Sequence, residues 1–205
     1  MVNQVKERPI LFSAPWCEPF WMAKKTQTRR VCKVAERYAL SFVVDADEPG
    51  YFGDEEDEVI FSCPYGKPVD RLWVRETWQH ENYPWGPYDP DNAVFYRADY
   101  IDDELGIDLE KSRDGIRRKW NPSIHMPRSA SRILLEVTNV RVERLRDISE
   151  EDAIAEGVIP SIVGSDLDHL KYRAGYQTLW ESINGHGSWD LNPWVWVVEY
   201  RVLKN

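Results

Sequence analysis

Long apolar runs, paired cysteines and an excess of positive charge are all missing from this sequence, and each absence removes a class of function. No apolar run approaches the roughly 18 residues needed to span a bilayer, so a membrane partner is not expected. The opening MVNQVKERPILF carries no apolar core of a secretory signal, and a cytoplasmic location is expected. The three cysteines (Cys17, Cys32, Cys63) contain no CxxC pair, which excludes a disulfide scaffold and fits reduced thiols. With four scattered histidines they offer no short-spaced ligand pair, so neither a metal nor a cofactor is expected. Lys and Arg number 26 against 35 Asp and Glu, a net charge of −9. That balance argues against coating long nucleic acid through its phosphates, while leaving room for a local basic pocket. Internal repeats and low-complexity segments are also absent.

What is present is a chain of ordinary globular composition, with 42% hydrophobic and 30% charged residues, and ten Trp and ten Tyr. At 205 residues it fits one domain with a proper core. RPILFS (8–13) reads as a first strand, and CEPFWMAKK (17–25) as a helical turn or short helix after Pro15. The acidic stretch 45–58 reads as a solvated loop and 100–119 as a charged surface insertion. VIFSCPYGKPVDRLWVRETW (59–78) predicts two strands joined by a turn at PYGKP, and AVFYRAD (93–99) another strand after a loop at 79–92. Prolines keep 121–131 irregular. RILLEVTNVRVERL (132–145) has strand periodicity from Glu136 onward. ISEEDAIAEG (148–157) has a helix signature, with Ser149 as N-cap, Ile148 and Ala153 as a flanking staple, and Gly157 as the left-handed stop. Residues 166–185 show helical spacing that ends at Gly185. PWVWVVEYRVL (193–203) is the last strand, with Trp194 and Trp196 on one face. Five or six strands without βαβ alternation predict an α+β domain, a small and mostly antiparallel barrel decorated by helices.

The densest chemistry lies in AKKTQTRR (23–30), where four cations and two threonines crowd into eight residues of an acidic chain. Lys25 and Thr28 share one face if the segment is helical and point to opposite faces if it is extended. A threonine hydroxyl needs a base to take its proton, and lysine is a base only when burial or neighbouring cations depress its pKa. The plainer alternative is a solvated or phosphate-anchoring patch, with Thr28 a capping or structural hydroxyl. His125, near Arg128 and Arg132, reads as a pocket residue or a structural histidine. Trp78 and Tyr96 read as base-stacking platforms or as core.

Taken together, AKKTQTRR, DRLWVRETW, NPSIHMPRSASRILLEVTNVRVERLRDISEEDAIAEG and LWESING…NPWVWVVEY resemble the ASCH-domain proteins, in the branch common in phages and prophages. The resemblance spans most of the chain except 45–58 and 100–119, and it implies a single PUA-like β-barrel domain over 1–205. The family signature Gly-x-Lys-x-x-Glu-x-Arg falls on Ala23, Lys25, Thr28 and Arg30, so its Gly and Glu are replaced. Thr at the Glu position is similar to the bacterial N4-acetylcytidine amidohydrolases of that family. That similarity implies Lys25, Thr28 and Glu156 as catalytic residues; the residues themselves point to Lys24, Arg30, Trp78, Tyr96, His125 and Arg128 as the substrate-binding set. The implied partner is a nucleoside or single-stranded nucleic acid, and the implied reaction is removal of an N-acyl group from cytidine. The alternatives are a non-catalytic reader of modified bases, a metal-dependent ribonuclease and a virion-assembly protein.

Overall fold

The computed structural model describes residues 5–12, 24–45, 50–54, 59–83, 85–100, 120–162 and 165–203. The fold is α+β with mostly antiparallel sheets. Its main sheet has five strands in the order β1 (Glu7–Leu11), β6 (Arg71–Arg75), β9 (Leu134–Arg144), β10 (Trp194–Leu203), β2 (Gln27–Val31). β1 and β6 run parallel, and the other pairs are antiparallel.

β10 shows why the sequence folds this way. Its residues alternate between two cores: Trp194, Trp196, Val198 and Tyr200 enter one, while Val195 and Val197 enter the other. A strand buried on both faces reads as a nearly unbroken apolar run, as PWVWVV does. On one face lie β4 (Tyr51–Gly53) and β5 (Ile60–Ser62), which place Phe52 and Phe61 edge-on against Trp196, with ring centroids 5.1 and 5.7 Å away. On the other face lie two helices, α2 (Glu150–Ala155) and α3 (Lys171–Asn184), with Tyr176 and Trp180 turned into the core. A shorter helix, α1 (Lys33–Arg37), follows β2 directly. The pairing of β9 with β10 shifts register at Glu199 and Tyr200, a bulge that strengthens the local bend.

The first strand, the long strand at 134–144, the last strand and both later helices lie where the sequence places them. Ser149 caps α2 through a hydrogen bond from the Asp152 amide (3.0 Å), and Gly157 ends it at φ +78°. Ile148 and Ala153 are both buried in the helix-side core, as a staple requires.

Three expectations need correction. Within 45–58, Tyr51–Gly53 is a strand and Phe52 is core, so the described part of the acidic stretch is not simply a solvated loop. Its third strand partner is β3 (Val44–Asp45). The two strands of 59–78 are present, β5 joining β4 and β6 the main sheet, but the loop expected over 79–92 opens with strand residues. A third strand, β7 (Trp78–His80), lies across the end of that stretch and pairs with β8 (Val94–Tyr96). The described residues contain ten strands rather than five or six, since the extra ones are only two to five residues long. The helix expected at 17–25 and the insertion at 100–119 fall almost wholly outside the described residues. No helix among the described residues is long and apolar enough to cross a membrane.

Candidate functional site

β1 and β2 are the two edges of the main sheet, and no ladder joins them. The sheet nevertheless curls far enough that Arg30 Nη2 on β2 donates to the Leu11 carbonyl at the end of β1, at 2.7 Å. A cavity of about 680 Å³ occupies the gap between these edges. Pro9–Phe12 line it from one side and Thr28–Val31 from the other, with Lys25, Glu156, Tyr176 and Trp180 among the remaining wall residues. This volume lies within the range of about 300–1,000 Å³ that small-molecule sites occupy.

Lys25 reaches the cavity because its neighbour is pinned on both sides. The Thr26 amide donates to Ala155 O (2.9 Å), and the Thr26 carbonyl accepts from the Tyr200 amide (2.9 Å). The chain just before β2 is therefore clamped between the end of α2 and the last strand. That clamp delivers Lys25 Nζ to Glu156, 2.8 Å from Oε2 and 2.8 Å from the main-chain carbonyl. Glu156 occupies the C-cap of α2 and is 2% exposed, with Lys25 at 4% and Thr28 at 2%.

The segment resolves the two conformations left open by the sequence. Thr28 belongs to an extended strand, so the one-face argument for a helical turn does not apply. Lys25 and Thr28 still line the same cavity, because Lys25 precedes the strand and the cavity wraps the free edge of β2.

Electrostatics follow from burial. Desolvation pushes the Lys25 ammonium below its ordinary pKa; the Glu156 carboxylate opposes this, while Arg30 and Arg29 add to it. Tyr176 is pushed well above the usual phenol range by burial and by Glu156, so it remains a neutral hydroxyl. Arg29, with a fully buried side chain, is held by Glu143 (2.5 Å), Asp152 (2.8 Å) and Glu156 (3.3 Å). Arg141 supports the same network through Asp152 (2.9 Å) and Glu143 (3.1 Å). Arg29 thus anchors Glu156 from the side opposite Lys25, fixing the carboxylate between two cations.

The other expected site residues separate into two groups. Arg30 lines the cavity, its guanidinium 5.9 Å from the Phe12 ring centroid. Lys24 is exposed and does not line the cavity. Trp78 is buried with Met126 and Ala130 in a separate cluster, and Tyr96 packs on that cluster with its hydroxyl on Ala130 O (2.9 Å) and Arg132 over its ring. Neither ring faces the cavity, which corrects the stacking expectation: both are packing. His125 is exposed on a short 3-10 turn, and Arg128 is exposed and paired with Glu7 (2.8 Å); neither lines the cavity. The wall residues that sequence reasoning missed are Phe12, Tyr65, Arg75, Tyr176 and Trp180. They come from distant elements and share no local spacing that would gather them.

Among the described residues, no group of three or more His, Cys, Asp or Glu side chains is arranged to hold a metal ion. Cys32 and Cys63 are buried free thiols, and burial pushes Cys63 up to about 12. Comparison of the chain with protein-family models, curated proteins and solved structures gives no match.

Proposed function

We propose that this chain is an ASCH-type protein of PUA-like architecture that hydrolyses an N-acyl group from cytidine in the cavity between β1 and β2. The observation that carries this reading is the buried Lys25–Glu156 pair in the wall of a cavity that Thr28 also lines. In this reading one proton passes between the two groups, which lie 2.8 Å apart and out of water. With that proton on Glu156, Lys25 is a neutral amine able to act as a base, and Glu156 is an acid. Lys25 takes the Thr28 hydroxyl proton as Oγ1 attacks the acyl carbon, and Glu156 gives its proton to the departing cytosine nitrogen. The C–N bond breaks, an ester to Thr28 forms, and the pair is left as ammonium and carboxylate. Water then attacks the ester, passing its proton to Glu156, while Lys25 returns a proton to Thr28. The starting state is restored, with carboxylic acid and amine as products. Tyr176 supplies a neutral hydroxyl in the same wall.

The test is incubation of the protein with N4-acetylcytidine and chromatographic separation of the products. Cytidine should appear with the wild type and be lost in Lys25→Met and Thr28→Val. No cytidine at high protein concentration would overturn the reaction.

The completeness of the ionic network favours a second reading, a reader that binds a modified base without turnover. Glu156 is already held by both Lys25 and Arg29 without any ligand, as in a structural anchor. That reading predicts oligonucleotide binding that weakens steeply with salt, and no product.

A further inference from the structure

Two cations in the cavity wall are not neutralised. Arg8, Arg29, Arg132 and Arg141 each hold a carboxylate within ion-pair distance. Among the described residues, Arg30 and Arg75 have none: Arg30 donates to the Leu11 carbonyl (2.7 Å) and Arg75 to the Ile124 carbonyl (3.3 Å). The Arg75 Nε is buried without a hydrogen-bond partner, a costly state for a charged donor. Both residues border Leu11 in the cavity wall. Arg75 is its cross-strand partner in the parallel β1–β6 pair, so the Leu11 and Arg75 side chains leave the same face of the sheet. Arg30 binds the Leu11 carbonyl itself. The one carboxylate in the described wall, Glu156, is already taken by Lys25 and Arg29. A chain of net charge −9 thus presents two uncompensated guanidinium groups at one end of its cavity.

We propose that Arg30 and Arg75 form a phosphate subsite and that the ligand of this cavity is a mononucleotide rather than a free nucleoside. This inference rests on the nucleoside reading above and adds the group that reading leaves out. Guanidinium forks match phosphate oxygens two at a time, and a bound phosphate supplies the acceptor that Arg75 Nε lacks.

The test is calorimetric titration at low salt with cytidine, cytidine 5′-monophosphate, cytidine 3′-monophosphate and inorganic phosphate. A short cytidine-containing RNA strand forms a further arm. At least one monophosphate should bind about tenfold or more tightly than cytidine, as charge-assisted bonds of about 1.5–3 kcal/mol require. Arg30→Gln and Arg75→Gln should each remove most of that gain. Arg37→Gln should retain it, because Arg37 is an exposed cation outside the cavity. Arg75→Lys, which keeps the charge but not the fork, should give an intermediate gain. It carries the test with Arg30→Gln if Arg75→Gln does not melt as a folded protein. Equal affinity for cytidine and its monophosphates overturns the proposal, as does a gain that survives in both Arg variants. Binding of the strand without either monophosphate also overturns it. Cleavage of N4-acetylcytidine with no benefit from a phosphate would sink this subsite and leave the hydrolase standing. An arginine-dependent phosphate gain without any hydrolysis would do the reverse.

Discussion

Lys25 Nζ lies 2.8 Å from both the side-chain and main-chain oxygens of Glu156, a residue 131 positions further along the chain. The two partners are not equivalent. Glu156 also accepts from Arg29, so deleting Lys25 leaves the carboxylate with a cation, whereas neutralising Glu156 strips Lys25 of its counter-charge and Arg29 of one of three. Breaking a buried pair by removing one partner costs about 3–5 kcal/mol when the remaining charge has no compensation. Glu156→Gln should therefore fall near that range, and Lys25→Met should cost less, about 1–3 kcal/mol. Urea denaturation of both variants measures the order, and equal or inverted costs would mean that Arg29 does not hold Glu156.

The elements that were legible in the sequence are those specified locally. The α2 signature needs only Ser149, Gly157 and the acidic turn between them, β9 declares itself by alternation, and β10 by its nearly unbroken apolar run. Phe52 was hidden because a three-residue strand inside an acidic stretch carries too little periodicity to register, and what makes it core is Trp196, 144 residues away in sequence (196 − 52). In the candidate site, Lys25, Thr28, Arg30 and Glu156 were legible only through the motif, and all four line one cavity. Arg75, Tyr176 and Tyr65 were not, because the curl of the sheet gathers them and no local spacing encodes it. Trp78 and Tyr96, left open in the sequence between platform and core, fill a satellite cluster of their own.

Gly175 tests how α3 is seated. It lies mid-helix, where alanine would ordinarily gain about 1 kcal/mol from propensity. Here a Cβ would stand 2.2 Å from the Ile159 carbonyl, which is main chain and has little freedom to move. Gly175→Ala should reverse the usual sign and destabilise by about 1–3 kcal/mol, as overpacking does. The helix would be pushed off the 159–161 segment that the Ser161 amide ties to Lys171 O (2.9 Å). A thermal melt at or above the wild-type midpoint would contradict this seating.

Thr28 separates chemistry from packing. Val replaces the hydroxyl with a methyl of similar shape, at a position buried to 2% exposure. Thr28→Val should abolish release of cytidine from N4-acetylcytidine while leaving the melting temperature within a few degrees of wild type. Thr28→Ser should keep part of the rate, because the nucleophile remains but loses the methyl that fixes its rotamer. Full activity in Thr28→Val would remove Thr28 from the reaction and leave the Lys25–Glu156 pair to activate water instead.

The depressed Lys25 pKa predicts a pH signature with a definite sign. Below its native value the residue is charged in both folded and unfolded states, and the burial penalty is present in full. Between that depressed value and the ordinary 10.5, the unfolded chain binds more protons than the folded one. Stability contributed through this group must therefore rise with pH across that window. Lys25→Met should lack this rise. Asp70 and Asp152 act in a separate window: burial would raise them, but Arg8 and the Lys6 amide on one, and Arg29 and Arg141 on the other, hold both below 3.8. Their contribution is complete above 3.8 and is lost as pH falls through the depressed native values. Because the reaction needs one proton on the Lys25–Glu156 pair, with Lys25 as base and Glu156 as acid, the rate of deacetylation should fall across the alkaline window in which stability climbs. Parallel measurement of kcat and of urea midpoints from pH 6 to 10, a span of about four units, checks both limbs at once. A rate that climbs over the range in which stability climbs would take the proton of this pair out of the reaction.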